Sequence, residues 1–180
     1  LTVIRPSDAN ETASAWAYSL SKKDEPVALV LSRQNLEVFE ETKGNVEALS
    51  KGAYVLKEAE GTPEVILIAT GSEVELAVKA REELIKQGVK GVRVVAMPSW
   101  ELFEKQPKEY KESILPKSVK NRVAIEMGTT LGWERYVGLD GAIVGIDTFG
   151  ASGPGSEVLN YFGFTVDNVV AVTKGLVAKK

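Results

Sequence analysis

Short apolar runs alternate along this chain with stretches whose apolar positions repeat at the period of a helix. The runs fall at residues 3–4, 27–31, 53–57, 65–69, 92–97, 122–126 and 142–146. Continuous runs such as 27–31 and 65–69 suit strands covered on both faces of a parallel sheet, where neither side meets water. Between the first two runs, Ala13, Trp16, Ala17 and Leu20 stand at i, i+3, i+4 and i+7, the apolar face of one helix. Ser7, Asp8 and Asn10 offer cap oxygens before it, and Asp8 and Glu11 stand at capping-box spacing. After the run at 65–69, Gly71 and Ser72 open a second helix, with Ser72 and Glu75 as a capping box. Its stripe of Val74, Ala77, Val78, Leu84 and Ile85 is closed by Gly88. A short helix is expected near 109–113, between Pro107 and Pro116, and a last one from Thr165 with Val166, Val169, Val170, Leu176 and Val177 on one side.

Strands alternating with helices predict an α/β fold, a mostly parallel five-stranded sheet with helices on both faces. The 53–57 run reads as an edge strand. Residues 35–52 interrupt the alternation: they are polar and acidic, with Glu37, Glu40, Glu41 and Glu47, and no sustained period, as in a linker. The strand-helix-strand before them reads as the end of a second α/β domain. Leu1 is not a methionine and opens on a strand-like run, so a polypeptide cut within that first domain is expected.

With 180 residues, 44% apolar and 26% charged, the chain has the make-up of a globular domain that needs no staples. A formal charge of -3 offers no basic face for nucleic acid, and no apolar run approaches the ~18 residues of a membrane span. The closing Lys179 and Lys180 read as a frayed helix end rather than a binding patch. Cysteine is absent, which excludes disulfides and thiolate chemistry and suits a reducing compartment. Histidine is absent too, so imidazole triads cannot be built, and the chain either works without that acid–base group or relies on polypeptide outside it.

Arg33 is the leading candidate for ligand binding. It stands two positions beyond an apolar strand, where open α/β sheets bind ligands, and its planar fork of donors fits two phosphate oxygens. The turn 69–73 has a single glycine and reads as structural capping rather than an anion cradle. Glu126 ends a strand at the same edge, and a lone carboxylate there reads as a helix cap rather than an acid–base group. Asp140 and Asn168 are 28 residues apart, a spacing compatible with a Gly-Asp-Gly metal signature, but Leu139 replaces the first glycine. The glycine-rich 149–155 segment lacks the Lys-Ser/Thr ending of a phosphate loop and, with the aromatics of 161–164, suits packing over a core or a subunit contact. Trp16, Trp100 and Trp133 read as packing residues.

The motifs Arg5-Pro-Ser-Asp8 and Leu31-Ser-Arg-Gln-Asn35, then Lys51-Gly-Ala-Tyr-Val55, Ile68-Ala-Thr-Gly-Ser-Glu-Val74, Phe149-Gly-Ala-Ser152 and Tyr161-Phe-Gly-Phe-Thr165, together resemble the transketolase family over nearly the whole chain and in order. The resemblance implies that residues 1–37 end a pyrimidine-binding domain, 38–52 link, and 53–180 form the transketolase C-terminal domain. It implies an enzyme that moves a two-carbon ketol unit between sugar phosphates in a cytoplasmic homodimer. Thiamine diphosphate and Mg²⁺ would be bound by residues upstream, as would the histidines and the glutamate that act on substrate and cofactor. On this chain it implies one substrate contact, Arg33 on the sugar phosphate, with no cofactor, metal or catalytic residue, and no activity for the chain alone. Relatives often carry a lysine after the Gly-Ala-Ser segment; residues 153–156 have none, so that loop receives no role. Deoxyxylulose-phosphate synthases and pyruvate dehydrogenase beta subunits share the architecture, and the 32–35 run favours transketolase over both. A non-catalytic α/β regulatory or assembly module is the alternative of a different kind.

Overall fold

Two strands that are wholly apolar or nearly so, β4 (Val65–Ala69) and β5 (Val92–Ala96), are buried at every position and form the middle of a five-stranded sheet. A computed structural model describes residues 1–178; Lys179 and Lys180 lie outside the described residues. The order is β3-β5-β4-β6-β7, with β6 (Asn121–Ile125) and β7 (Ala142–Val144) parallel to the centre. Strand β3 (Tyr54–Lys57) runs antiparallel at the edge, as the 53–57 run suggested. Along β4 the side chains alternate between faces. Leu67 joins Val94, Val123 and residues of α3 (Glu73–Lys86) and α8 (Val166–Val177) on one side. Ile66 and Ile68 join Val95, Phe103, Trp133 and Tyr136 on the other, beneath α4 (Trp100–Glu104), α5 (Lys108–Ile114) and α6 (Glu134–Val137).

The polypeptide leaves β4 on one side to make β5 and returns across β4 to make β6. This reversal leaves a crevice beyond the carboxyl ends of β4, β5 and β6, the place where open α/β sheets take ligands.

The beginning of the chain makes a separate two-stranded parallel sheet of β1 (Thr2–Ile4) and β2 (Val27–Leu29), joined by α1 (Ala9–Ser21). Here the pattern misled. The stripe of Ala13, Trp16, Ala17 and Leu20 faces outward, with Trp16 51% and Leu20 77% exposed. Helix α1 instead buries Glu11, Ser14, Ala15 and Tyr18. Strand β2 is half-buried rather than covered on both faces, and the run ends early, leaving Val30 and Leu31 exposed.

Residues 35–52 hold more order than their composition suggests. They contain a 3-10 turn at Glu40–Thr42 and α2 (Val46–Ser50), which lies against α1. Gly52 then passes so close to α4 that a Cβ there would come within 2.2 Å of the Phe103 backbone nitrogen. Helix α7 (Gly155–Tyr161) precedes α8, whose cap is the expected one: Thr165 Oγ1 accepts from the Asn168 amide.

Candidate functional site

The ends of β1 and β2 meet the carboxyl edge of the five-stranded sheet. The Arg5 amide donates to the Pro98 carbonyl (2.9 Å), and the Arg5 carbonyl accepts from the Gly71 amide (3.2 Å). Its guanidinium donates to both oxygens of Glu126, at 2.5 and 2.8 Å, and reaches Glu73 at 3.4 Å. Glu126 also accepts from the Trp133 indole at 3.2 Å. Glu126 therefore caps no helix; it anchors an arginine 121 residues away. Burial opposes the Arg5 charge, but the hydrogen bond and charge of Glu126, aided by Glu73, outweigh it and hold its pKa above the ordinary value.

Two carboxylates share this one guanidinium, and they share it unequally. Glu73, 1% exposed, has its pKa pushed up to about 7, chiefly by burial and further by the Glu126 charge; the Ser72 hydroxyl and Arg5 oppose the rise. A cleft of about 520 Å³ opens beside the clamp, with Val3 and Val30 on one wall and Met97 and Trp100 on the other.

The expected Ser72–Glu75 capping box does not form. Ser72 Oγ donates to Glu73 at 2.6 Å, and Glu75 instead accepts from Lys79 one turn on and from the Glu37 amide at 3.3 Å. The long-range demands of Arg5 and residue 37 outcompete the local motif. In the same turn, the Gly71 amide goes to Arg5 and the Glu73 amide to Thr70, so neither is open to an anion.

A second buried tie joins α1 to β3. Asp8 caps α1 through the Glu11 amide (2.7 Å) and also accepts from the Phe39 amide (3.0 Å) and Thr42 Oγ1 (2.6 Å). Glu11 turns back to the Ser7 amide (2.6 Å), one residue before the cap, and accepts from the Tyr54 hydroxyl. Burial raises the Glu11 pKa, and the bonds from Tyr54 and Ser7 pull against it.

Arg33 lies in the exposed bend after β2. The chain has six arginines, and five are engaged. Arg5 clamps Glu126, and Arg93 grips Glu58 and the carbonyls at the end of α5. Arg122 donates to four carbonyls, Arg81 to two, and Arg135 stands 3.9 Å from Glu104. Among the described residues, Arg33 alone has neither a hydrogen bond nor an ion pair. Ser32 and Gln34, its neighbours, line a cleft of about 400 Å³ against Asp8 and Thr12 at the start of α1.

The other marked positions are spoken for. The Asn168 amide group donates to the Gly163 carbonyl at 2.9 Å, and Asp140 lies in an exposed turn, so the pair offers no ready metal seat. Among the described residues no group of three or more acidic side chains is placed to hold a metal ion. These residues do not fit the diphosphate and cation of the expected cofactor. Trp100 and Trp133 stack edge to face at 5.0 Å, whereas Trp16 is not packed. Phe149 is fully exposed and Phe164 buried, so the loop and the aromatics of 161–164 form no single plug.

Sequence reasoning missed Arg5, Glu73 and the Glu11–Tyr54 bond. Arg5 carried a usable signal, because it ends β1 as Arg33 follows β2; its partners, 68 and 121 residues away, carried none.

An open α/β sheet with a reversed strand order, docked at its carboxyl edge against a strand-helix-strand unit, defines an open-sheet α/β protein built from two units. Residues 52–165 match the family model of the transketolase-like TK C-terminal domain. The chain is 55% identical to the transketolase of Geobacillus stearothermophilus over 181 residues, covering 99% of this chain and 27% of that protein. It is 54% identical to transketolase 1 of Escherichia coli, covering 98% and 26%. The transketolase structure from Leishmania mexicana superposes with a TM-score of 0.90 at 40% identity, covering 99% of this chain and 25% of that one. The chain belongs to the transketolase family and spans about a quarter of the length of these relatives.

Proposed function

We propose that this chain is the C-terminal part of a transketolase and that its share of the reaction is to hold the substrate's phosphate through Arg33. In this reading the whole enzyme transfers a two-carbon ketol unit between ketose and aldose phosphates as a cytoplasmic homodimer. Thiamine diphosphate and Mg²⁺ are held by other parts of it, and no step runs through the residues described here. Residues 1–37 then belong to the pyrimidine-binding domain, 38–52 link, and 53–180 form the C-terminal domain. The outward stripe of Trp16 and Leu20 and the half-covered β2 support this division, since they are surfaces that further polypeptide of the first domain would cover.

One observation carries the phosphate reading. Of six arginines, only Arg33 is without a partner among the described residues, and it stands beyond the carboxyl end of a strand. A bare guanidinium is poised to accept an anion bidentately, with no internal ion pair to break.

In the complete enzyme, Arg33→Ala raises KM for a phosphorylated ketose by about 30- to 100-fold, the loss of a charge-assisted bidentate contact. Cofactor binding and turnover of an unphosphorylated ketose stay near wild type. Equal losses on both substrates would remove the phosphate role.

A further inference from the structure

The loop that carries Arg33 does not hold itself in place. Among the described residues, positions 31–36 enter no hydrogen bond, so the loop's position is set by its two flanks. Both flanks reach the first turn of α3, the upstream one at longer range than it reaches Glu126 at the end of β6. On the upstream side, the Val30 amide donates to the Ile4 carbonyl at 2.9 Å, and the next residue, Arg5, is clamped by Glu126 and Glu73. On the downstream side, the Glu37 amide donates to Glu75 at 3.3 Å, and Lys79 stands 3.8 Å from the Glu37 carboxylate while also bound to Glu75. Between the flanks, Gln34, Asn35 and Leu36 face Ser72, Glu73 and Glu75 across a crevice of about 330 Å³.

We propose that Glu73 and Glu75, with Arg5 as the intermediary of Glu73, are positioning residues for the phosphate-binding loop, so that α3 of the five-stranded sheet sets where Arg33 stands. This rests on the reading of Arg33 as the phosphate ligand. The five-stranded domain is thereby a participant in substrate recognition, although Arg33 itself lies outside it. An arginine on an unbonded loop spends its binding energy on being ordered unless its flanks are fixed beforehand. Two anchors one helical turn wide restrict the loop at both ends while leaving the guanidinium exposed.

The clamp is also proton-sensitive. Glu73 is faced by Arg5 from β1, Glu126 from β6, the Ser72 hydroxyl and the Met127 backbone, and it changes charge near neutrality. Its protonation therefore alters how tightly the upstream flank is held.

The test is steady-state kinetics of the complete enzyme with a phosphorylated and an unphosphorylated ketose. Glu75→Gln lies on a partly exposed helix turn and tests the downstream anchor without disturbing the core. It raises KM for the phosphorylated ketose about threefold, as expected for loss of one flank contact, with kcat and the unphosphorylated ketose unchanged. Arg5→Met raises the same KM about tenfold and Arg5→Lys recovers part of it. Glu73→Gln removes the neutral-pH dependence of that KM. Combined with Arg33→Ala, none of these changes adds a further loss, because residues acting through one guanidinium are not additive. If Arg33→Ala is selective for the phosphate but Glu75→Gln and Arg5→Met leave KM unchanged, or add to it independently, the positioning role is overturned and the phosphate reading stands. If Arg33→Ala is itself unselective, the phosphate reading fails first and the positioning role with it.

Discussion

The two sheets of this molecule solve burial in different proportions of apolar and charged groups. The five-stranded sheet sandwiches β4 and β5 between two apolar clusters, and every position of both strands is buried. The two-stranded sheet at the start has only a small apolar cluster around Ile4, Ala15 and Tyr18 and buries carboxylates beside it: Asp8 and Glu11 are nearly inaccessible, while Trp16, Leu20, Val30 and Leu31 face outward. Cohesion of the first region with the second thus runs through charged and polar bonds, Arg5 to Glu126 and Tyr54 to Glu11, together with a small apolar cluster in which Ile4, Ala15 and Tyr18 meet Leu49 of α2 and Leu102 of α4. A domain that carries its own core keeps its shape alone. A region held by a small shared cluster and hydrogen-bonded charge keeps its position only while those partners are in place.

This contrast can be broken by substitution, and the largest effect is expected in the sheet. Ile68→Ala empties a fully buried site in β4 and costs about 3–4 kcal/mol in denaturant unfolding of the chain. A loss below about 1 kcal/mol would mean that the central sheet is not the stabilising unit.

A smaller effect comes from the clamp, and its sign follows from Glu73. Its folded pKa, about 7, stands above the ordinary 4.5. The folded chain therefore holds a proton that the unfolded chain releases, and this contribution is fully present below about pH 4.5 and lost as pH rises through 7. The contribution is on the order of 3 kcal/mol, and Glu73→Gln, which mimics the protonated group at every pH, removes its pH dependence. Unfolding measured at pH 5 and pH 8 shows a smaller stability difference in the variant than in the parent. An identical difference in both would show that Glu73 titrates elsewhere. The smallest effect belongs to the outward stripe: Leu20→Ser changes the stability of the chain by no more than about 0.5 kcal/mol, despite deleting a leucine from an apparently ideal helical face. A cost comparable with that of Ile68→Ala would erase the distinction between the regions.

The same division explains what could be read from the residues alone. The sheet was legible because its strands are continuous apolar runs and its helices carry stripes that cover them, so pattern and burial coincide. The edge strand β3, the start of α8 at Thr165 and the glycine stop at Gly88 followed from local chemistry. In α1 the periodic apolar face was real but was the wrong one to bury, because Glu11 and Ser14 are drawn inward by partners on other elements. The Ser72–Glu75 spacing failed for the same reason. Hydrogen bonds between residues 68 or 121 positions apart leave no periodic trace, so Arg33 could be singled out by its place after a strand, while the arrangement behind it could not.

The claim on which the account turns is that Arg33 is kept unpaired in order to receive an anion. A crystal structure of the complete enzyme with a bound sugar phosphate tests it most directly. The account predicts two Arg33 guanidinium nitrogens at about 2.7–2.9 Å from phosphate oxygens, with Arg5 still on Glu126. An Arg33 side chain turned toward solvent, or paired with a carboxylate while the phosphate is held by other groups, would contradict it.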